Sequence, residues 1–364
     1  MIPQIQPWID NEELTQLKRV IDSTYLVEHS LTKEFEALTR DLTGARHAVA
    51  VSNGTVGLYC SLLALGIKPG DEVIIPDLTF IATANSVIMA GATPVFCDID
   101  PDTFCIDARK AEQLVTKKTK AIMPVHLYGQ SADMPAVMKL AVAHGIPVIE
   151  DAAQGVGVKL GGKHAGTFGQ CGVLSYYGNK TITCGEGGVI LTDDDDLAKK
   201  CYRLKNHGRE RKGVFVHEDI GFNFSFTEMQ AAIGIAQMHK LDRIINRKKE
   251  IHDRYESALA GLKGLEPLHY DPRCSPVFWF TSFLADNVPA LEAHMANAGI
   301  QTRRFFYPLH MQPCYAGILS GNASFPVSTR TYERGISLPS SYLLTEEEQE
   351  KVIMEINKFY ESRN

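Results

Sequence analysis

The sequence predicts an α/β fold with a mostly parallel sheet flanked by helices. Short apolar runs alternate with helical segments between residues 48 and 149, a pattern typical of buried parallel strands. After Asp151 the alternation loosens, and from about residue 260 the composition changes, which indicates a smaller C-terminal α+β region. The chain of 364 residues, 45% hydrophobic and 22% charged, is long enough for a large core.

The elements follow in order along the chain. Two helices over 11–22 and 32–42 precede buried strands expected at 48–51, 72–75, 94–97, 121–125 and 146–149. Helices are expected from 54 to 65 and over 79–90, 107–115 and 133–144. Gly161-Gly162 predicts a hairpin turn, and 188–192 a further strand. Together with a strand expected to end at Ser175, these segments indicate a seven-stranded type of sheet.

A long helix is expected over 227–259, with a basic cluster that is interpreted as a solvated face: Arg243, Arg247, Lys248 and Lys249. Beyond it, 277–284 predicts a strand and 289–298 a helix. Thr345 and Glu348 form a capping box that opens the last helix. We therefore expect a large domain over 1–245 and a smaller α+β domain over 246–364.

Composition excludes several classes of function. The net charge of −6 argues against a general nucleic-acid binder. Eight cysteines without a CxxC pair suggest reduced thiols in a cytoplasmic protein, and neither a signal peptide nor a membrane span is expected. The histidines lack HExxH spacing, so no metal site is expected, and no GxGxxG unit or GxSxG elbow appears. Residues 157–164 nearly match a phosphate loop, but His164 stands where Ser or Thr is required.

Three features fall where ligands collect in open α/β sheets, at the carboxyl ends of strands. Gly54-Thr55 begins a helix after a strand, where backbone N–H groups favour an anion; taken alone, this feature is more often a plain helix cap. Asp151 ends a buried strand, either as hydrogen-bonded structure or as a carboxylate able to keep a pyridine nitrogen protonated.

The third feature is Lys180, which precedes the glycine run at 185–188. A buried lysine has a lowered pKa and can form an imine with pyridoxal phosphate, although most lysines are solvated surface groups. Ser175, at the end of an expected strand, could donate its hydroxyl to a phosphate. The joint occurrence of these residues favours a cofactor site.

The chain resembles the sugar-nucleotide aminotransferases, fold type I pyridoxal-phosphate enzymes of deoxyamino-sugar biosynthesis. The resemblance covers nearly the whole chain, and within the family it is greatest to the branch that makes GDP-perosamine, a sugar of surface polysaccharides such as lipopolysaccharide O-antigen. Its landmarks are GDEVIIP at 70–76, TFIATAN at 79–85, PVHLYGQ at 124–130, IEDAAQ at 149–154, GNK at 178–180, GEGG at 185–188 and QAAIG at 230–234.

The resemblance implies a role for each site residue. Lys180 would hold the cofactor and move protons, and Asp151 would pair with its ring nitrogen. Other residues would bind the ring hydroxyl (Gln154), stack on the ring (Phe80), bind the phosphate (Gly54, Thr55 and Ser175) or lie near the sugar (Tyr25 and His310). Asn223 would reach the phosphate bound by a partner subunit, which implies a homodimer with shared active sites.

The expected activity is transfer of an amino group from L-glutamate to a keto sugar, at C4 of a nucleotide-linked 4-keto-6-deoxyhexose. Ser225-Phe226 stands where the family usually has Arg-Met, and Tyr25–Glu28 also departs from the pattern, so the acceptor is the open question. Relatives with histidine in place of the lysine are dehydratases; Lys180 argues against that branch. The alternatives are a transaminase acting on another ketose, a non-catalytic cofactor-binding regulator and a purely structural protein.

Overall fold

A computed structural model describes residues 1–211, 213–318 and 323–361. The helices are α1 (Asn11–Ser23), α2 (Ser30–Thr43), α3 (Gly54–Ala64), α4 (Ala82–Met89), α5 (Ala108–Gln113), α6 (Met134–His144), α7 (Asp195–Lys205), α8 (Glu228–Ala258), α9 (Val288–Asn297), α10 (Pro326–Arg334) and α11 (Glu346–Glu361). The strands are β1 (His47–Val51), β2 (Glu72–Pro76), β3 (Thr93–Cys97), β4 (Thr119–Ile122), β5 (Ile149–Asp151), β6 (Lys159–Leu160), β7 (Lys163–His164), β8 (Cys171–Ser175), β9 (Gly188–Thr192), β10 (Leu265–Pro267), β11 (Cys274–Ser275), β12 (Thr281–Ala285), β13 (Arg303–Arg304) and β14 (Gly335–Leu338).

Seven strands form the large sheet, in the order β3-β2-β4-β5-β8-β9-β1. Two hydrogen-bonded groups of strands, β3-β2-β4 and β5-β8-β9-β1, are joined by parallel bridges from Ile122 to Val148 and from Val125 to Asp151. Of these seven strands, β9 alone runs opposite to the other six. The mostly parallel seven-stranded sheet expected from the sequence is therefore present.

Alternating strand side chains bury both faces of this sheet. Val73 and Ile75 pack with the cluster that contains α3 and α4 residues, whereas Ile74 between them packs with α5 and α6 residues. Such two-sided burial explains why these strands appear in the sequence as continuous apolar runs. The carboxyl ends of the strands meet at one edge, where the polar residues after β1, β5 and β8 are brought together.

The C-terminal part contains a second, antiparallel sheet in the order β10-β12-β14-β13. Its core includes residues from α9 and α11, and Ile2 from the start of the chain joins the same cluster. The helix α8 runs through the boundary expected at residues 245 and 246, so the domain limits stay a prediction. Residue 212 of the expected domain 1–245, and residues 319–322 and 362–364 of the expected domain 246–364, lie outside the described part of the chain.

Two local expectations, a hairpin and a helix capping box, are confirmed. The short strands β6 and β7 form the hairpin at Gly161-Gly162. The Thr345 hydroxyl accepts a hydrogen bond from the Glu348 backbone N–H at 3.1 Å, while the Glu348 carboxylate accepts one from Thr345 at 3.0 Å. None of the described helices is both long enough and apolar enough to cross a membrane.

Two expectations were wrong. The strand expected over 277–284 begins only at Thr281, because Val277–Phe280 crosses between the two sheets, where the Val277 N–H bonds to the Gly129 carbonyl at 2.9 Å. The basic cluster on α8 is not uniformly solvated, because Lys248 is buried at 2% exposure. Its neighbour Lys249 is exposed, as expected.

Candidate active site

A cavity of about 490 Å³ opens at the carboxyl edge of the large sheet. Its walls include the start of α3, the ends of β5 and β8, and residues from the C-terminal part of the chain. A larger open cleft of about 860 Å³ lies at the opposite edge, near residues 65–71, 115–120 and 144–147. That cleft does not contain the residues singled out from the sequence, whereas the first cavity contains seven of them: Gly54, Thr55, Phe80, Asp151, Gln154, Ser175 and Lys180.

The start of α3 forms one end of the cavity. Asn53 caps the helix by accepting a hydrogen bond from the Val56 N–H at 3.1 Å. A Cβ atom added at Gly54 would lie 3.1 Å from the Ser175 Cβ, and one at Gly188 would lie 2.6 Å from the Asn53 carbonyl carbon and oxygen. The two glycines therefore let the end of β8 and the start of β9 approach the helix start closely, and the resulting cradle of N–H and hydroxyl donors fits a phosphate group.

Asp151 lies at the base of the cavity, only 4% exposed. Its carboxylate accepts hydrogen bonds from the Thr83 hydroxyl at 2.7 Å and the Ala153 N–H at 3.2 Å. Burial raises the pKa of Asp151, and these hydrogen bonds and the nearby Lys180 only partly offset that effect. A cationic N–H placed against this carboxylate would stabilise its charge, so the site fits a protonated pyridine ring.

Lys180 lines the same cavity, and its ammonium lies 4.4 Å from the centroid of the Trp279 ring. Burial lowers the pKa of Lys180 to about 8; Asp151 opposes this shift and Arg303 adds to it. The lysine can therefore lose its proton near neutral pH, as an amine that attacks a carbonyl must. The two central sequence predictions, Asp151 and Lys180, lie in one cavity although 28 residues separate them in the chain.

The remaining predicted cofactor residues differ in how they are held. The Gln154 amide oxygen accepts a hydrogen bond from the Tyr128 N–H at 2.9 Å, which leaves its amino group available to the cavity. Phe80 is 52% exposed, and its ring is tilted against Phe306 with centroids 5.8 Å apart. An aromatic face that remains open in a cavity suits stacking on a planar ring.

Three predicted residues lie outside the cavity lining of this chain. Asn223 is exposed and forms a backbone bridge with Asn206. Tyr25 is 55% exposed and stacks on His29. The His310 ring nitrogen Nδ1 lies 2.7 Å from the Asp77 carboxylate, which also accepts the His310 backbone N–H at 2.8 Å. The substrate roles of Tyr25 and His310 and the cofactor role of Asn223 stay predictions.

The segment with the unusual Ser225-Phe226 pair has a structural explanation. Ser225 bridges Val51 at the end of β1, and Phe226 is fully buried, stacked on Phe35 with centroids 5.5 Å apart. Phe226 therefore belongs to the core below α8.

Trp279 and Arg303 are among the cavity-lining residues that the sequence did not single out. Trp279 is one of only two tryptophans, and its indole N–H donates to the Asn179 carbonyl at 2.6 Å, next to Lys180. Arg303 lies on β13 and its guanidinium contacts the rings of Trp279 and Phe306. The rarity of tryptophan was a usable signal, but nothing in the sequence distinguished Arg303 from a solvated arginine.

Comparison with known proteins finds matches over nearly the whole chain. The profile of the DegT/DnrJ/EryC1/StrS aminotransferase family matches residues 7–357. The GDP-perosamine synthase of Caulobacter vibrioides is 39% identical over 97% of this chain and 96% of its own length. That of Vibrio cholerae is 38% identical over 93% and 94%. The crystal structure of DesV from S. venezuelae in complex with a ketimine intermediate superposes with a TM-score of 0.92 at 34% identity, covering 96% of this chain and 95% of that one. The expected fold type I architecture is thereby confirmed.

Proposed function

Since this chain belongs to the DegT/DnrJ/EryC1/StrS aminotransferase family, we propose that it transfers the amino group of L-glutamate to C4 of a nucleotide-linked 4-keto-6-deoxyhexose. The enzyme is a pyridoxal-phosphate-dependent sugar aminotransferase, as the family and the solved relatives show. The finer proposal concerns the donor, the acceptor and the residues that act. The observation that carries the residue roles is the convergence of Lys180, Asp151 and the α3 cradle on one cavity.

Each wall of the cavity has a distinct task in this proposal. Bound there, pyridoxal phosphate supplies an electron sink for the carbanion of the donor or of the sugar. The backbone N–H groups of Gly54 and Thr55, with the Ser175 hydroxyl, bind the phosphate. The Asp151 carboxylate keeps the ring nitrogen protonated, and Thr83 holds that carboxylate in place at 2.7 Å.

Lys180 has two tasks, both of which need an amine that is neutral part of the time. Its amino group would hold the cofactor covalently when no substrate is present, and it would then move one proton between two carbon positions in each half-reaction. A pKa lowered to about 8 leaves an appreciable neutral fraction near pH 7. The Trp279 ring holds the Lys180 side chain in place through a cation–π contact, with the ammonium 4.4 Å from the ring centroid.

We further propose that two copies of the chain share their active sites. Asn223 is exposed and does not line the cavity of its own chain, which supports a contact with the cofactor phosphate of a partner in a dimer. Large apolar side chains are also exposed on nearby segments: Tyr25, Leu26, Val27, Phe215, Val216 and Ile220. A dimer interface would remove this apolar surface from water. Tyr25 and His310, the latter on the loop held by Asp77, are the proposed contacts to the sugar.

The acceptor is proposed from the relatives, because two enzymes named GDP-perosamine synthase match nearly the full length of the chain. The product would then be an amino-deoxysugar nucleotide suited to surface polysaccharides such as O-antigen. The competing proposal is the same reaction on a different ketose, with or without a nucleotide, because Ser225-Phe226 and the Tyr25–Glu28 loop depart from the usual pattern.

The test is an acceptor panel. The holoenzyme with L-glutamate is offered a GDP-linked and a dTDP-linked 4-keto-6-deoxyhexose, a 3-keto isomer and a keto sugar without nucleotide, and products are resolved by mass spectrometry. We expect the greatest kcat/KM with a nucleotide-linked 4-keto sugar. A higher kcat/KM with the 3-keto isomer or with the free keto sugar would contradict it.

A further inference from the structure

Arg303 places a cationic group in the active-site cavity, and we propose that it binds the α-carboxylate of the amino donor. This inference rests on the proposed function in one respect: it takes the donor to be an α-amino acid such as L-glutamate. It adds a donor-recognition residue to the cofactor-binding residues already described.

The position of Arg303 is fixed by both backbone and side-chain contacts. Its strand β13 pairs with β14, with Arg303 opposite Ser337. The guanidinium lies 5.5 Å from the centroid of the Phe280 ring, 5.6 Å from that of Phe306 and 6.0 Å from that of Trp279. Aromatic faces at such distances hold a planar cation in place without using its N–H donors. The donors therefore remain free for a ligand.

The charge of Arg303 is unbalanced within the described part of the chain. There its guanidinium has neither a hydrogen bond nor an ion pair, although the carboxylates of Asp151 and Glu186 line the same cavity. The neighbouring Arg304, whose side chain points to the other side of the strand, instead pairs with Glu292 at 3.8 Å. A half-buried guanidinium that faces a cavity and pairs with neither of these carboxylates is a recognition group for the carboxylate or phosphate of a ligand.

The nearness of Lys180 decides between these two anions. The Lys180 ammonium and the Arg303 guanidinium both lie within 6.0 Å of the centroid of the Trp279 ring, and the arginine charge contributes to the lowered pKa of Lys180. The carbon whose proton Lys180 moves in the donor half-reaction carries the α-carboxylate directly. In a nucleotide sugar the pyranose ring separates C4 from the diphosphate. An anion site beside Lys180 therefore fits the donor carboxylate.

The test compares the two half-reactions in Arg303→Gln and in the matched control Arg304→Gln. The donor half-reaction is followed by stopped-flow absorbance of the bound cofactor, with L-glutamate and with its α-amide, which lacks the α-carboxylate charge. The sugar half-reaction is followed separately, starting from enzyme loaded with pyridoxamine phosphate and using the keto sugar that the acceptor panel selects.

We expect Arg303→Gln to lower the second-order rate constant for L-glutamate about 100-fold, the loss of a bidentate charge-assisted contact. The α-amide should react at similar rates with wild type and variant, so the preference for the free carboxylate collapses. The sugar half-reaction should change less than about threefold. Arg303→Lys, which keeps the charge but loses the fork, should fall between wild type and Arg303→Gln, and Arg304→Gln should match wild type.

Two results would overturn the proposal. One is an undiminished preference for L-glutamate over its α-amide in Arg303→Gln. The other is a sugar half-reaction that falls as far as the donor half-reaction, which would assign Arg303 to the diphosphate instead. The donor half-reaction needs no keto sugar, so a failure of the acceptor proposal leaves this test readable.

Discussion

The carboxyl edge of the large sheet and the junction with the small sheet each bury a lysine, and the two lysines differ in what they can reach. Burial lowers the pKa of Lys180 to about 8 and that of Lys248 to about 7. Lys180 lines the cavity, whereas Lys248 donates to the backbone carbonyls of Trp279 at 3.0 Å and Ser340 at 2.9 Å. A lowered pKa thus marks a buried amine, and only access to a cavity makes that amine a reagent.

The two sites are connected through Trp279. Lys248 donates a hydrogen bond to the backbone carbonyl of Trp279, and the indole ring of Trp279 contacts the Lys180 ammonium. The same residue therefore carries a structural contact on one side and supports the reactive lysine on the other. Substitutions at the two lysines should separate these tasks, with loss of chemistry in one case and loss of stability in the other.

The largest effect is expected for Lys180→Ala. Loss of covalent cofactor attachment and of the proton-moving amine should lower kcat by about 10⁴-fold or more. The variant should still bind pyridoxal phosphate, because the α3 cradle and Asp151 are unchanged. Steady-state assay with L-glutamate and the best acceptor measures the loss. Turnover near the wild-type rate would show that another group does this work.

A smaller loss is expected for Asp151→Asn, which removes the charge facing the ring nitrogen but keeps the shape. Losing one preorganised electrostatic contact in an active site costs roughly 10²- to 10³-fold in kcat. The cofactor should remain bound, which absorbance of the desalted protein checks. A kcat within about threefold of wild type would remove Asp151 from the chemistry.

Lys248→Met should change the free energy of unfolding and its dependence on pH, and it should leave the catalytic activity largely intact. The unfolded chain keeps the lysine protonated up to its ordinary pKa of 10.5, but the folded protein releases that proton above about 7. The unfolded state therefore binds more protons in this window, and the wild-type free energy of unfolding gains up to about 1.4 kcal/mol per pH unit from this group.

Urea unfolding at pH 7.5, 8.5 and 9.5 measures this effect. The wild-type stability should gain on that of Lys248→Met as pH rises through the series, while kcat of the variant stays within about tenfold of wild type. A constant stability difference across the series would place the Lys248 pKa near that of a solvated lysine.

The smallest effect concerns the pH dependence of cofactor capture by the apoprotein. Because Lys180 loses its proton around pH 8, the rate of covalent pyridoxal phosphate attachment should rise up to about that pH and then level off. An ordinary lysine would give a rate that still rises tenfold per unit above pH 9. Absorbance after mixing apoprotein with cofactor measures this profile.

The two regions also differ in how far the sequence predicted them. Asp151 and Ser175 each end a strand, and Gly54 begins the helix that closely follows β1, so local pattern and sheet geometry together place them at one edge. The order of the seven strands was not predicted in detail, because strand pairing depends on contacts between distant segments. The overall alternation of strands and helices was sufficient for the fold class.

The side of the cavity that the C-terminal part forms could not be predicted from the sequence in the same way. Val277–Phe280 has the composition of a strand, and only its docking against Gly129 shows that it is a crossing segment. Lys248 sits in a basic stretch that is typical of a solvated helix face, and its burial results from packing against Trp279 and Ser340. Charged residues buried by tertiary contacts leave no periodic signal in the sequence.

The most direct test of the account is to identify the lysine that holds the cofactor. Borohydride reduction of the holoenzyme fixes pyridoxal phosphate to that lysine, and peptide mass spectrometry then locates the modified residue. We expect modification at Lys180, with Lys248 unmodified. Modification at Lys248 or at any other lysine, with Lys180 unmodified, would contradict the assignment of the active site.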